Sequence, residues 1–140
     1  MSQENVRLAF EVMDALSQRD LPKLIAITDP EVEWHSFFAQ LGQGGVYHGH
    51  DGTRQFQSDV NDVFEIARAD LDRGIGAGDA VVLTGRFHYR GHGSGVEADL
   101  ALGWVLKFRR GKLIYFRAFR EPDRAFEAVG LSEQNADADS

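Results

Sequence analysis

The chain has no cysteine, which removes disulfides, thiol nucleophiles and thiolate metal ligands from consideration. Cations are also in short supply. Lys and Arg number 15 against 22 Asp and Glu, giving a net charge of -7 and a pI near 5.1. Binding phosphate backbones needs clustered cations, so no nucleic-acid partner is expected. The apolar runs are far too short for a membrane-spanning helix, and Met1-Ser2-Gln3-Glu4-Asn5 lacks the basic end and apolar block of a signal peptide. No membrane partner is expected, and the default location is the cytoplasm.

What is present is enough apolar material for one core: 43% of 140 residues are hydrophobic, too few residues for two comfortable domains. A single domain is expected over residues 1–131. Residues 132–140 contain Glu133, Asp137 and Asp139 with no strong apolar side chain, and are expected to form an acidic, disordered tail.

The stretch from Asp79 to Arg120 organises the rest. Its three strand-like runs, Ala80 to Arg90, Val96 to Arg109 and Lys112 to Arg120, are separated only by glycine-rich turns, the pattern of an antiparallel meander. The middle run puts Val96, Ala98, Leu100, Leu102, Trp104, Leu106 and Phe108 on one face and Glu97, Asp99, Ala101, Gly103, Val105 and Lys107 on the other. The first of these faces is apolar throughout, so helices from upstream must cover it.

Those helices are legible. Val6, Ala9, Phe10, Met13 and Leu16 recur at helical spacing after Ser2, which can cap the helix. Gln18-Arg19-Asp20 breaks it, and Asp20 can cap a second helix with Pro22 in its first turn and Leu24, Ile25 and Ile27 inside. Glu31 to Phe38 reads as a strand with Val32 and Trp34 inward, and Gly42 to Gly45 as a loop. Asp51 is expected to cap a third helix carrying Phe56, Val60, Val63 and Phe64. Arg68 to Gly76 is a weaker strand with Ala69, Leu71 and Arg73 on one face, and Pro122 opens a short final helix ended by Gly130. The expected fold is α+β: a cone-shaped half-barrel whose curved antiparallel or mixed sheet is covered by three N-terminal helices, in the order helix, helix, strand, helix and four strands.

Two constellations bear on chemistry. His48-Gly49-His50, with His88 or His92, could supply three imidazoles. The pair opens a helix instead of lying on a strand, however, so neither a metal nor another cofactor is expected. Trp34 and Trp104 carry more weight, since each falls on the apolar face of a strand. Core packing is one reading. The other is a small-molecule cavity that they line with Val81, Leu83, Phe87, Leu100, Leu102, Ile114, Phe116 and Ala118. Arg86, His88, Glu97, Asp99, Tyr115 and Arg117 alternate with these on neighbouring strands. They point away from the helices unless a bulge turns Arg86 and His88 inward.

The order of elements and several local signatures resemble the nuclear transport factor 2-like superfamily, and within it the SnoaL-like proteins. The matching pieces are the first-helix stripe, Arg19-Asp20-Leu21, Asp29-Pro30-Glu31-Val32-Glu33-Trp34, Tyr47-His48-Gly49-His50-Asp51-Gly52 and Arg110-Gly111-Lys112-Leu113. The resemblance spans about residues 3–131. It implies a deep apolar pocket and a homodimer packed through the outer sheet face, in a family that includes ketosteroid isomerases, polyketide cyclases and epoxide hydrolases.

The catalytic groups of the known enzymes are missing. Val12 stands where the isomerases have their oxyanion-holding tyrosine, Trp34 at their general base, and Trp104 near their protonated aspartic acid. Of the epoxide-hydrolase set Arg86 is kept, His88 replaces the first acid and Ala118 the second. The expected ligand site is therefore Val12, Trp34, Phe87, Leu102, Trp104, Phe116 and Ala118, taking an apolar, ring-containing metabolite. Candidate catalytic groups are His88 as acid or base, Arg86 polarising a ligand oxygen, and His35 as second choice. An isomerase, cyclase or hydrolase is one expectation. The alternative is a non-catalytic binding or dimerisation module, and an ionisable group with a shifted pKa in the pocket would separate the two.

Overall fold

The computed structural model describes residues 2–35 and 45–131; the Ser36 to Phe38 end of the expected first strand, most of the Gly42 to Gly45 loop and the acidic tail lie outside them. Helix α1 (Ser2–Gln18) begins at the residue expected to cap it. Its end is fixed by Arg19, whose φ of 56° turns the chain and whose Nη2 donates to the Phe64 and Glu65 carbonyls at 3.0 and 2.9 Å. Helix α2 (Leu21–Ala26) is capped by Asp20, whose carboxylate accepts the Lys23 N–H, with Pro22 in the first turn and Leu24 buried.

Strand β1 (Thr28–His35) starts three residues earlier than its alternation indicates. A two-residue strand β2 (Tyr47–His48) follows, pairing Trp34 with Tyr47. Such a short run leaves no periodic signal. Helix α3 (Gly49–Val63) has His48 at its N-cap without a side-chain bond. Asp51, the expected cap, sits instead within the first turn, exposed, and pairs with Arg54 at 2.8 Å. The glycines of this entry are steric requirements: Gly49 has φ +69°, and a Cβ on Gly52 would stand 2.8 Å from the Tyr47 carbonyl carbon.

Strands β3 (Phe64–Ala77), β4 (Ala80–Gly91), β5 (Glu97–Arg109) and β6 (Lys112–Phe119) form the antiparallel meander. Phe64, expected on the third helix, is the first residue of β3. The sheet order is β2-β1-β6-β5-β4-β3, with β1 parallel to β6, so the sheet is mixed and open. Its inner face, with Val32, Trp34, Val81, Leu83, Leu106 and Leu113 fully buried, packs against α1, α2 and α3.

Two bulges alter the expected faces. One between Leu71 and Arg73 leaves Asp72 as the extra residue, so Arg73 lies on the outer face with its guanidinium 5.5 Å from the Phe126 ring centroid. The other, between Lys107 and Phe108, pairs Phe108 with Leu113. Leu113 therefore enters the core where Ile114 was expected.

The outer face is not wholly polar. Helix α4 (Pro122–Ala128) lays Ala125 and Phe126 over Ile75, Val82 and Val105 as a second apolar cluster. Gly103 makes room, since a Cβ there would come within 2.8 Å of Ala125 Cβ and 3.0 Å of Pro122 Cα. Gly103→Val is expected to lower unfolding stability in urea by about 1–3 kcal/mol, as overpacking does. Ala101→Val, exposed on the same face, should stay within about 0.5 kcal/mol. Equal losses would show that α4 does not depend on this gap.

Tyr47 fastens β2 to α3, its hydroxyl donating to Asp59 Oδ2 at 2.6 Å while Gln55 Nε2 donates to the other oxygen at 2.7 Å. Burial, helped by the Asp59 carboxylate, pushes the Tyr47 phenol up to about 12. An unfolded tyrosine ionises near pH 10, so this contribution to stability is whole below about pH 10 and is lost as pH rises toward 12. In absorbance titration at the tyrosinate band, the latest-ionising step should be missing from Tyr47→Phe. That variant's stability should also fall less steeply across the same range. A late step surviving in Tyr47→Phe would assign it to another tyrosine.

Candidate functional site

Between α1, α3 and the sheet, the inner-facing side chains Ala67, Ala69 and Ala118 are too small to fill the space. A cavity of about 350 Å³ remains. Its walls are Met13, Leu16 and Ser17 of α1; Phe56, Gln57, Val60 and Val63 of α3; Phe64, Ala67 and Ala69 of β3; Phe87 and Tyr89 of β4; Leu100, Leu102 and Trp104 of β5; and Phe116 and Ala118 of β6. Val63, at 44% the most exposed of these apolar groups, lies beside an aromatic rim. Phe64, Phe87 and Tyr89 stand there with ring centroids 5.3 to 5.7 Å apart. No Asp, Glu, His, Lys or Arg is among these lining residues.

Five of the seven expected ligand residues, Phe87, Leu102, Trp104, Phe116 and Ala118, share this wall. Val12 and Trp34 do not; both are fully buried in the packing behind it. Trp34 stacks on Phe56 at 4.8 Å. Its indole N–H donates to Thr53 Oγ1 at 2.7 Å, and the Thr53 hydroxyl donates on to the Gly49 carbonyl at 2.9 Å. That chain satisfies the one polar atom of a buried indole, so Trp34 sets the position of α3 while Trp104 meets the cavity.

The candidate acid–base groups lie elsewhere. Strands β4 and β5 pair without a bulge from Ala80 with Lys107 to Arg90 with Glu97, so Arg86 and His88 stay on the face opposite Phe87. His88 Nδ1 is 2.9 Å from Asp99 Oδ1 and its Nε2 is 3.2 Å from Glu97 Oε1. Arg90 bonds Glu97 at 3.0 Å, holding that carboxyl below its ordinary value. Arg86 Nη2 donates to the Asp99 carbonyl at 3.4 Å. The Arg90–Glu97 contact is an exposed ion pair of the kind that adds little stability. His35 is also on the outer side, 3.0 Å from Glu33 and tilted against Tyr115 at 5.0 Å. Of the remaining histidines, His50 Nε2 meets the Thr28 carbonyl and His92 Nε2 the Asn61 carbonyl, each within 3.0 Å. Among the described residues, no three potential ligands converge as a metal site.

Sequence reasoning passed over the polar members of the wall. Ser17 Oγ accepts the Ala69 N–H at 3.4 Å. Gln57 is 4% exposed, its Nε2 donates to Asn61 Oδ1 at 3.0 Å, and its Oε1 has no partner. The signal was available: Thr53, Phe56, Gln57 and Val60 occupy one helical stripe, and a glutamine inside such a stripe is a polar group at a core position. A second hollow of about 850 Å³ runs between α1 and the first half of β3. Asp14, Arg19, Glu65, Arg68 and Asp70 line it beside Phe10, Met13 and Leu71, so charged and apolar groups are mixed there.

The comparisons with known proteins bear on the fold. The SnoaL-like domain family matches residues 9–116. No curated protein sequence matches significantly. Among solved structures, a nuclear transport factor 2-like protein of unknown function from Burkholderia pseudomallei superposes with a TM-score of 0.76 at 26% identity, covering 93% of this chain and 99% of its own. TerC, co-crystallised with polyporic acid, gives 0.74 at 24% identity over 90% and 97% of the two chains. A SnoaL-like polyketide cyclase, so named, from Jannaschia gives 0.73 at 16% identity over 85% and 86%. The curved mixed sheet, the helices on its inner face and the family match together place this chain in the SnoaL-like family of the nuclear transport factor 2-like superfamily.

Proposed function

We propose that this protein binds an apolar, ring-containing small molecule in the cavity between α1, α3 and the sheet. The observation that carries the reading is the wall itself: mainly aromatic and aliphatic side chains around about 350 Å³, with no Asp, Glu, His, Lys or Arg among its described residues. General acid–base catalysis needs a titratable group within reach of the reacting atoms, and the described wall offers only the Tyr89 phenol. Binding is therefore favoured over proton-transfer chemistry. Arg86, His88 and His35 belong to the ion-paired outer face in this reading, and substituting them leaves ligand affinity unchanged.

A second reading is a cyclase or isomerase that works by shape, holding a flexible substrate folded against Trp104 and Phe116. The likeness to a protein named a polyketide cyclase favours it. TerC supports small-molecule binding in either case, as a neighbour co-crystallised with polyporic acid. A homodimer through the outer face is part of the same proposal. Half-buried Tyr115 and Phe119 there carry the Lys107 and Arg117 cations, each 4.9 Å from its ring centroid. Light scattering after size exclusion should give twice the 15.6 kDa chain mass; a monomer at high concentration removes the dimer.

Intrinsic fluorescence tests the binding reading, because one tryptophan is in the wall and the other is sealed behind it. Titration with apolar ketones, lactones, epoxides and aromatic polyketide-like compounds should give a saturable change with one class. The change is expected to vanish in Trp104→Leu and to persist in Trp34→Phe and His88→Gln. A folded protein that responds to none of them would mean that the cavity does not serve as a ligand site.

A further inference from the structure

Among the described residues, four polar side chains are buried: Thr28, Thr53, Gln57 and Thr84. Three are satisfied. Thr28 Oγ1 donates to the Ile25 carbonyl at 3.2 Å, Thr53 joins Trp34 to Gly49, and Thr84 Oγ1 donates to Asp72 at 2.7 Å. Gln57 is the exception, with Nε2 tied to Asn61 and Oε1 unpaired. A buried carbonyl left without a donor costs stability, and a methionine of similar shape would avoid that cost. The unpaired oxygen belongs to a residue of the apolar wall.

We infer that Gln57 determines ligand specificity, its Oε1 accepting a hydrogen bond from a neutral O–H or N–H donor on an otherwise apolar ring. This rests on the ligand-binding reading above and deepens it by naming the ligand's polar handle. The bond to Asn61 Oδ1 holds the amide with its oxygen free. Ser17 Oγ already accepts from the Ala69 N–H, and Tyr89 stands at the rim with Phe64 and Phe87, so Gln57 supplies the wall's one buried, unengaged acceptor. An acceptor repels anions, and no cation lines the described wall to offset that. Carboxylates and phosphates are thereby disfavoured, and phenols, alcohols and lactam N–H groups are selected. A site built around a hydrogen bond rejects an analogue lacking the donor because its own buried group is again left unpaired.

The test uses 2-naphthol and 2-methoxynaphthalene, which share a ring system and differ in the donor, with affinities measured by calorimetry on the full chain. The wild type should bind the naphthol about tenfold more tightly, as expected for one buried hydrogen bond. Gln57→Met should bind the two equally and unfold at the same temperature as the wild type or above it. Four outcomes overturn the inference: equal wild-type affinities, tighter binding of the ether, a preference that survives in Gln57→Met, or a Gln57→Met protein several degrees less stable. The last would make Gln57 a structural group. Equal affinities leave the ligand-binding reading standing, whereas failure of both compounds, together with a silent Trp104 fluorescence titration, overturns that reading as well.

Discussion

The uninterrupted pairing of β4 with β5 is the constraint on which the rest of this molecule depends. From Ala80 with Lys107 to Arg90 with Glu97 the register never slips, and a strand has a period of two, so one parity governs every side chain along both strands. Phe87, Leu100, Leu102 and Trp104 are committed to the helix side by the same geometry that commits Arg86, His88, Glu97 and Asp99 to the other. A single bulge would have exchanged the two sets. The absence of charge from the described cavity wall and the ion-paired character of the outer face are therefore one fact seen from two sides.

The cavity also needs its helices held at a distance, and the bonds that do this lie outside it. Arg19 ties the end of α1 to the start of β3. Trp34, through Thr53, ties β1 to the first turn of α3, and Tyr47, through Asp59, ties β2 to its later turns. Phe56 stacks on Trp34 from the cavity side, so the wall inherits its position from a hydrogen-bonded indole. Polar groups here act as spacers that satisfy one another, which lets the wall itself consist of side chains chosen for shape. Such an arrangement separates the stability of the fold from the chemistry of the site.

Much of this was legible in the sequence, and the exceptions have physical causes. The meander, the α1 stripe and the Asp20 cap follow from periodicity and local chemistry, which act over a few residues. The bulges at Asp72 and Ile114 do not, because an extra residue changes parity without changing composition. Nor did alternation reveal that α4 covers Val105: Gly103 and Val105 shared a face with Glu97 and Asp99, and only the placement of Phe126 separates the buried half of that face from the exposed half. Trp34 and Trp104 are equivalent by pattern, each aromatic on an inward position. What distinguishes them is whether their neighbours are large, as around Trp34, or small, as Ala118 is opposite Trp104. Burial beside a void is a property of packing volume, which no one-dimensional pattern records.

The choice of an amide at position 57 follows from the same economy of charge. A carboxylate in that wall would face a far larger desolvation penalty than a neutral amide and would respond by taking up a proton. It would then turn from acceptor to donor as its environment changed. An amide has no such freedom. Gln57 offers the same oxygen at any pH at which the protein is folded, and its other end is occupied by Asn61. The penalty for leaving that oxygen unpaired when no guest is present is of the order of 1–3 kcal/mol, small enough for a domain of this size to tolerate. Selectivity for a neutral donor thus arises from a group that cannot titrate. The charged residues that sequence patterns first bring to attention remain on the outer face, where water screens them.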